Sequence, residues 1–243
     1  RQLIESLGSQ VEDLDDTSWR ITSRDLEPAD LDPDLCRRIR ASILLAGPMA
    51  ARIGKFKLSP PGGDVIGRRR LDTHILALRA LGAEVEYDRG FMFNANGLHG
   101  ADILLDEASV TATENAIMAA VRAKGETVLR NAASEPHVQD LCHFLNGLGA
   151  QIEEIGSNTL RIQGVPKLHG GEFTIGPDYL EVMSYVGAAA VTHGTVRVKN
   201  AGVKNLQMIA HIFERMGVRW QVEGDDLIVP ADQEMKVIPD LDG

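Results

Sequence analysis

The chain has 243 residues, 44% of them apolar and 25% charged, with a formal net charge of −10 at pH 7. This length suits one or two domains with buried cores, and the apolar share excludes a disordered chain. The acidic balance argues against a general nucleic-acid or anionic-membrane surface, and no apolar run is long enough for a membrane span. We therefore expect a globular protein with no nucleic-acid or membrane partner, in which any anion site is a local basic exception.

The two ends of the sequence look internal. The opening run, RQLIESLG, resembles the tail of a helix without an initiator methionine, and the closing LDG completes no helix or strand. We expect a piece of a longer protein, whose remainder would be its partner. The two cysteines, Cys36 and Cys142, have no motif spacing, so we predict small buried residues of a cytoplasmic protein, with no disulfide and no zinc.

A helix stop recurs along the chain. Gly8, Gly82, Gly149 and Gly217 each follow an apolar helical run, and successive stops are 74, 67 and 68 residues apart. Glycine favours the left-handed conformation just past a helix end, so the spacing predicts the same helix end four times. A strand pair with a polar turn follows each stop. The predicted pairs are Ser9–Glu12 with Trp19–Thr22, Glu84–Tyr87 with Phe91–Asn94, Gln151–Glu154 with Thr159–Ile162, and Arg219–Val222 with Leu227–Val229.

Another helix and strand precede each of the last three stops. The unit is helix, strand, loop, helix, strand, strand, present three times after a partial copy, which predicts tandem α/β units around a shared centre. We expect the apolar face of the last unit to need partners outside this chain. The predicted helices are Arg38–Ala51, Val110–Lys124 and Tyr179–His193, ended by Gly54, Gly125 and Gly194, and the strands after them are Lys55–Leu58, Glu126–Leu129 and Thr195–Val198.

One loop breaks the repeat. The connection from strand to second helix is short in two copies but runs from Ser59 to Arg70 in the first complete one. Its glycines allow a close approach to a ligand, and Arg68, Arg69 and Arg70 supply three fixed positive charges. We expect it to bind a small anion, the alternative being a solvated basic turn. Asp64, in the glycine stretch, is either a turn former or an acid or base on a closing lid.

Several motifs follow one another along the chain: Arg40-Ala41-Ser42 with Gly47-Pro48, Pro61-Gly62-Gly63-Asp64-Val65-Ile66-Gly67-Arg68-Arg69, Asp72-Thr73-His74, Leu81-Gly82-Ala83, Ser109-Val110-Thr111-Ala112-Thr113, and Asn131-Ala132-Ala133-Ser134-Glu135-Pro136. In this order they resemble the enolpyruvyl transferases that act on UDP-N-acetylglucosamine, over essentially the whole chain. The resemblance implies an α/β fold of two domains, each an inside-out prism of βαβαββ units. Residues 1–176 would form the loop-bearing domain with its first unit truncated, 177–230 the first unit of the second domain, and 231–243 a linker to a missing C-terminal part.

The resemblance also implies an activity. Members transfer the enolpyruvyl group of phosphoenolpyruvate to the 3′-hydroxyl of UDP-N-acetylglucosamine and release phosphate, the committed step of peptidoglycan synthesis. No cofactor and no metal are expected. The family's N-terminal Lys-Asn element and its general-base Asp would lie outside residues 1–243, so we expect the chain alone to be inactive.

Roles for individual residues follow from the same resemblance. Asp64 matches a lid position that is usually Cys and is implicated in protonating phosphoenolpyruvate, and an Asp there escapes alkylation by fosfomycin. Arg69, the second catalytic candidate, and Arg40 match arginines that line the phosphoenolpyruvate side. The segment that holds uracil would be Arg70, Leu71, Asp72 and Thr73, and the diphosphate would contact Ser109, Val110 and Thr111. Arg68 and Glu135 are the other expected substrate contacts.

Three positions depart from the family pattern: Arg70 replaces Pro, Thr111 replaces Gly, and His137 replaces an acidic residue. Two alternatives stay open: enolpyruvyl transfer to shikimate 3-phosphate, and a retired UDP-sugar-binding module, which the three departures motivate. The Pro-Gly-Gly-Asp lid argues against the first. Ser109 also suits a plain helix cap, and His74 either orients the arginine-rich loop or serves as a capping or packing residue.

Overall fold

The repeat expected from the sequence is present in the computed structural model, which describes residues 1–24, 26, 30–63, 67 and 69–236. The chain divides into two units, Arg1–Phe173 and Thr174–Gly243. The predicted helix stops are confirmed, because all four stop glycines have positive φ angles: Gly8 90°, Gly82 100°, Gly149 94° and Gly217 79°.

The first unit begins with the partial copy of the repeat. Helix α1 (Gln2–Ser6) is followed by the antiparallel strands β1 (Gln10–Asp13) and β2 (Trp19–Thr22). The next copy begins beyond residue 30, where Asp30 makes a single parallel bridge to Lys57.

The continuous helix predicted over Arg38–Ala51 is wrong. Ile39 has an extended backbone, with φ −141° and ψ 129°, which breaks the helical hydrogen bonding. The Ser42 hydroxyl donates to the carbonyl oxygens of Cys36 and Ile39, at 3.2 and 2.9 Å, and so satisfies carbonyls that a continuous helix would have used. Three shorter elements result: α2 (Pro33–Arg38), a 3-10 helix (Arg40–Leu45) and α3 (Ala46–Arg52).

This copy continues with one helix and an antiparallel sheet. The strands are ordered β3-β5-β4, and Phe56 of the first stacks on Phe93 of the second with ring centroids 4.5 Å apart. Alternating residues of the sheet therefore face the core, as the period of two requires. The elements are β3 (Lys55–Leu58), α4 (Asp72–Ala80), β4 (Glu84–Tyr87) and β5 (Phe91–Asn94).

The third copy is a complete βαβαββ unit. It contains a short strand that the sequence analysis missed, which pairs in parallel with the next strand and gives the order β6-β7-β9-β8. Parallel neighbours need a crossover, and the helix between them supplies it. The elements are β6 (Asp102–Leu104), α5 (Val110–Ala120), β7 (Glu126–Arg130), α6 (Pro136–Gly147), β8 (Gln151–Glu153) and β9 (Thr159–Gln163).

The second unit repeats the plan with the strand order β10-β12-β11. Gly194 was predicted to end its first helix, but His193 takes the left-handed conformation instead, with φ 52°. The two strand starts predicted at Thr195 and Arg219 are each too early, since pairing begins at Val196 and Gln221. The elements are α7 (Tyr179–Thr192), β10 (Val196–Val198), a 3-10 helix (Val203–Asn205), α8 (Gln207–Arg215), β11 (Gln221–Glu223) and β12 (Asp226–Val229).

Helix α5 is the centre of the first unit. It packs against α3, α4, α6 and the 3-10 helix, and seven of its eleven residues are buried. Gly47 of α3 permits the closest approach, because a Cβ there would lie 2.4 Å from the backbone oxygen of Asn115. Cys36 and Cys142 are buried in this core, as predicted. The shared centre expected for the repeated units is thus a helix enclosed by its neighbours.

Candidate functional site

Two loops meet at one edge of the four-stranded sheet. Since β6 and β7 run in parallel, the segments that follow them leave from the same edge. The Asn131 side chain, just after β7, donates to the carbonyl oxygen of Leu105 at 2.9 Å and ties the two loops together. This edge carries Ser109, Val110 and Thr111, all predicted to contact substrate.

The amino ends of α4 and α5 converge beside this edge. Thr73 Oγ1 donates to Asp106 Oδ1 at 2.6 Å, and His74 Nε2 lies 3.2 Å from Thr111 Oγ1. Helix amino ends carry partial positive charge and unpaired N–H groups, so two of them side by side favour an anion. The structure therefore brings Asp72 and Thr73 together with the Ser109–Thr111 segment.

Ser109 caps α5. Its side chain accepts the N–H of Ala112 at 3.4 Å, so the capping interpretation of Ser109 is confirmed. Among the described residues, no acceptor bonds the backbone N–H groups of Val110 and Thr111. These two donors remain available at the positive end of the helix.

Arg40 holds the backbone of the arginine-rich segment. Its Nη2 donates to the carbonyl oxygens of Arg69 and Arg70, at 2.9 and 3.1 Å. Burial lowers the pKa of Arg40 below its ordinary value, and the positive charge of Arg69 adds to this effect. Arg40 thus fixes the course of the chain that carries the next two guanidinium groups.

Arg70 is engaged by two carboxylates. Its Nε donates to Asp72 Oδ2 at 2.7 Å, and its Nη2 lies 3.9 Å from Asp106 Oδ2. The bond to Asp72 is the main reason that the pKa of Arg70 is raised. The pairing orients Asp72 and Arg70 in the segment predicted to hold uracil, although both side chains remain more than half exposed.

The base of the long loop is pressed against α2. A Cβ at Gly62 would lie 1.7 Å from the backbone oxygen of Arg37, so no other residue fits there. Gly63 has a φ of 92° and packs against Arg40. A residue with a side chain would be strained at this backbone angle and crowded by Arg40. Asp64 and Arg68, the candidate acid and one candidate substrate contact, lie outside the described residues.

A groove of about 530 Å³ opens beside α4. Leu71 precedes this helix and packs on the core. The groove is lined by apolar side chains together with three carboxylates and the guanidinium group of Arg79. Its lining includes Ile75, Leu76, Tyr87, Phe91, Asp72 and Asp106.

Glu135 stands at the start of α6, joined to α5 rather than to the arginine-rich segment. The N–H of Ala133 donates to Thr113 Oγ1 at 3.0 Å and holds this loop on α5. Within the described part of the chain, Glu135 Oε2 is buried without a hydrogen-bond partner. Glu114 lies nearby, and its pKa is raised mainly by burial and further by Glu135, while His137 opposes the shift.

Sequence reasoning missed two residues of this region, Asp106 and Asn115. Asp106 follows the missed strand β6 and accepts a bond from Thr73. Asn115 is fully buried in α5 and bonds Gly47, Ile43 and His74. The available signal was a lone amide in an apolar helical run, since a buried polar group needs partners.

The fold is that of the enolpyruvyl transferases. The family model for EPSP synthase (3-phosphoshikimate 1-carboxyvinyltransferase) matches residues 1–240, so the chain belongs to this family. The enolpyruvyl transferase NikO from Streptomyces tendae aligns with a TM-score of 0.79 at 24% identity, covering 94% of this chain and 56% of that one. EPSP synthase from Acinetobacter baumannii aligns with a TM-score of 0.64 at 18% identity, covering 98% and 57%. The predicted fold class is confirmed.

Sequence relatives sharpen the resemblance. The UDP-N-acetylglucosamine 1-carboxyvinyltransferase of Bradyrhizobium diazoefficiens is 55% identical over 242 residues, which is 100% of this chain and 56% of the relative. The protein of the same name from Treponema denticola is 52% identical over 242 residues, 100% and 57%. The resemblance expected from the motifs is confirmed. The chain spans a little more than half the length of these curated relatives, 56–57%. In the part that the structure describes, no helix combines the length and apolar character needed to cross a bilayer.

Proposed function

We propose that this chain is part of an enzyme that transfers the enolpyruvyl group of phosphoenolpyruvate to the 3′-hydroxyl of UDP-N-acetylglucosamine and releases phosphate. The observation that carries the proposal is the convergence of the α4 and α5 amino ends with the segment that Arg40 holds. The names of relatives 43–55% identical over the whole chain support the choice of acceptor. Such an enzyme would act at the start of peptidoglycan synthesis.

In this proposal the diphosphate of the sugar nucleotide binds at the start of α5. The unpaired N–H groups of Val110 and Thr111 would donate to its oxygens, and Ser109 would shape the approach through its capping bond. A dianion at a helix amino end gains both hydrogen bonds and dipole stabilisation.

The uracil would occupy the groove beside α4. Its apolar side chains suit the flat face of a base, and the carboxylates of Asp72 and Asp106 in its lining can accept an N–H. Leu71 and Thr73 are the neighbours in sequence of Asp72, which lines this groove. Arg70, tied to Asp72, would fix the position of that carboxylate.

Phosphoenolpyruvate would bind on the side of Arg69. The Arg69 side chain carries no described ion pair, whereas Arg40 is occupied with the backbone of Arg69 and Arg70. We therefore assign anion contact mainly to Arg69 and, with it, Arg68, and assign to Arg40 the task of holding the backbone of Arg69 and Arg70. Guanidinium groups match both the carboxylate and the phosphate of this substrate.

The chemistry requires an acid above these arginines. Protonation of C3 of phosphoenolpyruvate creates a cationic centre at C2, which the sugar hydroxyl attacks while losing its proton. Loss of phosphate and of a C3 proton then restores the double bond in the product. We propose Asp64 as the acid, because it follows directly on Gly62 and Gly63, the packed base of its loop, and precedes the arginines in sequence. Glu135 completes the proposed set on the neighbouring loop.

Phosphate release by the protein at its full natural length tests this function. We expect release from phosphoenolpyruvate with UDP-N-acetylglucosamine and none with shikimate 3-phosphate as the acceptor. Turnover with shikimate 3-phosphate instead would identify the other transferase of this fold. Calorimetric binding of the sugar nucleotide without any turnover would identify a binding module.

The role of Asp64 has its own test. Asp64→Cys in the same full-length protein should keep activity and create sensitivity to fosfomycin, because a thiolate replaces a carboxylate that resists alkylation. Asp64→Asn is the matched control, since it keeps the size of the side chain but cannot donate a proton as an acid. Unchanged fosfomycin resistance in an active Cys variant would remove Asp64 from the site.

We further propose that residues 1–176 form the loop-bearing domain. Residues 177–230 would form the first unit of a second domain, and 231–243 a linker. We also propose that the chain needs the rest of its protein for turnover. Phosphate release by residues 1–243 alone would contradict the last point. We also propose a cytoplasmic location, supported by the two buried, unpaired thiols of Cys36 and Cys142.

A further inference from the structure

A chain of hydrogen-bonded side chains runs from the core of the first unit to the amino end of α5. His74 of α4 is 2% exposed and contacts two residues of α5. Its Nδ1 lies 2.8 Å from Asn115 Nδ2, and its Nε2 lies 3.2 Å from Thr111 Oγ1. His74 therefore links a buried amide to a half-buried hydroxyl in the proposed diphosphate site.

The backbone fixes the orientation of the Asn115 amide. Asn115 Oδ1 accepts the backbone N–H of Gly47 at 2.8 Å, and Nδ2 donates to the backbone oxygen of Ile43 at 2.8 Å. An N–H can only donate and a carbonyl oxygen can only accept, so rotating the amide by half a turn would break both bonds. The amino group of Asn115 consequently faces His74.

This orientation fixes the tautomer of His74. Because Asn115 Nδ2 donates, His74 Nδ1 must accept, and the neutral ring carries its proton on Nε2. Burial lowers the pKa of His74 to about 4, with a smaller contribution from the charge of Arg40, so the ring is neutral at pH 7. His74 Nε2 then donates to Thr111 Oγ1.

A hydroxyl that accepts from His74 still has a proton to donate. Among the described residues, the Thr111 hydroxyl has no hydrogen-bond partner besides His74. Thr111 is also the second residue of α5, next to the unpaired backbone N–H groups. An acceptor that approaches this end of the helix would be anionic, and the hydroxyl proton would add one directed donor to it.

We propose that His74, held by Asn115, is a positioning residue that turns the Thr111 hydroxyl proton toward a phosphate oxygen of the bound nucleotide. The inference rests on the proposed function, which supplies the diphosphate. It gives a binding role to Thr111, which replaces the glycine that the family pattern has at this position. The buried pair Asn115 and His74 would then serve binding as well as packing.

Calorimetry on the full-length protein with UDP and with uridine tests this proposal. Thr111→Val should weaken UDP binding by about 10- to 100-fold, the range for losing a hydrogen bond to a charged group, and leave uridine binding unchanged. Thr111→Ser should recover most of the UDP affinity because it restores the hydroxyl. Thr127→Val is the matched control, since this buried hydroxyl has no described partner and lies on β7.

His74→Asn probes the positioning role itself. Asn can still accept from Asn115 near the place of Nδ1 but is too short to donate to Thr111, so the core bond survives while the outer one is lost. We expect a several-fold loss of UDP affinity with Thr111 present and no further loss when Thr111 is already Val. Hydrogen exchange across α5 verifies that each variant remains folded.

Two results would overturn the inference while leaving the proposed function intact. One is unchanged UDP affinity in Thr111→Val, and the other is an equal loss from His74→Asn in both backgrounds, which a purely structural role produces. Failure of the unmodified protein to bind UDP at all would instead overturn the proposed function, and this inference with it.

Discussion

The same repeat gives two different environments in the two units. In the first unit, α5 is enclosed by helices of its own copy and of the preceding one, and its polar residue Asn115 is fully buried. In the second unit, the equivalent helix α7 has only five of its fourteen residues buried, and its apolar side chains Leu180 and Val191 are 56% and 63% exposed. The second helix of that unit, α8, has no buried residue, and Met208 and Ile212 are 78% and 46% exposed. The last three strands keep the same order in both, β7-β9-β8 and β10-β12-β11, so the difference comes from the number of copies that pack together. A βαβαββ unit forms locally, but its apolar helix faces need other units to cover them.

The largest expected effect comes from Asn115→Ala. The change leaves the N–H of Gly47 and the carbonyl of Ile43 buried without partners, at about 1–3 kcal/mol each. We expect the free energy of unfolding of the first unit to fall by about 4 kcal/mol. Denaturant-dependent hydrogen exchange of α5 peptides measures it. Asn205→Ala in the second unit is the control, because no side-chain hydrogen bond of Asn205 is described, and a comparable loss there would contradict the account.

The second prediction concerns the pH dependence of the first unit. The pKa of His74 is about 4 in the folded protein against an ordinary 6.5, so the unfolded chain binds the proton more tightly. Stability from this residue is complete above pH 6.5, declines as the pH falls toward 4, and is lower by about 3 kcal/mol below that. Comparing the unfolding of the unmodified chain and His74→Asn at pH 7 and pH 4 isolates the effect, since other groups titrate in both. A constant difference between the two proteins would exclude it.

Two glycines in helices sharpen the comparison further. Gly47→Ala in α3 would place a methyl group 2.4 Å from the Asn115 backbone oxygen, so we expect a loss of about 2–3 kcal/mol. Gly187→Ala in α7 meets only ordinary contact, 3.7 Å from the Phe213 ring, and should gain about 0.5–1 kcal/mol through helix propensity. Thermal unfolding resolved by hydrogen exchange in each unit checks both signs. Destabilisation of equal size at both positions would show that packing around α5 is not special.

The smallest effect is expected at the exposed face of α8. Met208→Lys should change the stability of the 243-residue chain by less than about 0.5 kcal/mol, because the side chain is 78% exposed. The same substitution in the full-length protein measures whether that face is covered there. A loss of more than about 1 kcal/mol in the short chain would contradict the description of α8.

Local signals made much of the fold predictable. Gly8, Gly82, Gly149 and Gly217 could be identified because a left-handed helix end is a property of the residue itself. The strand β6 was missed since three residues carry too little periodicity, and its pairing with β7 depends on a distant segment. The helix break at Ile39 was hidden because the apolar spacing continues across it.

The site was predictable only in part, because local motifs identify residues but not the contacts between distant ones. Motif order located Arg69, Thr73 and Ser109, but it could not show that Arg40 bonds the backbone beside Arg69 rather than standing free. The link between His74 and Asn115 joins residues 41 positions apart, and no local pattern encodes it. Contacts of this kind follow from the packing of α4 on α5.

Backbone amide NMR of the full-length protein during titration with UDP-N-acetylglucosamine tests the central claim most directly. The account predicts that the largest shift changes fall at the amino ends of α4 and α5: on Thr73, beside the proposed uracil groove, and on Val110 and Thr111, whose N–H groups would meet the diphosphate. Saturable binding that leaves these amides unmoved would contradict the proposed site.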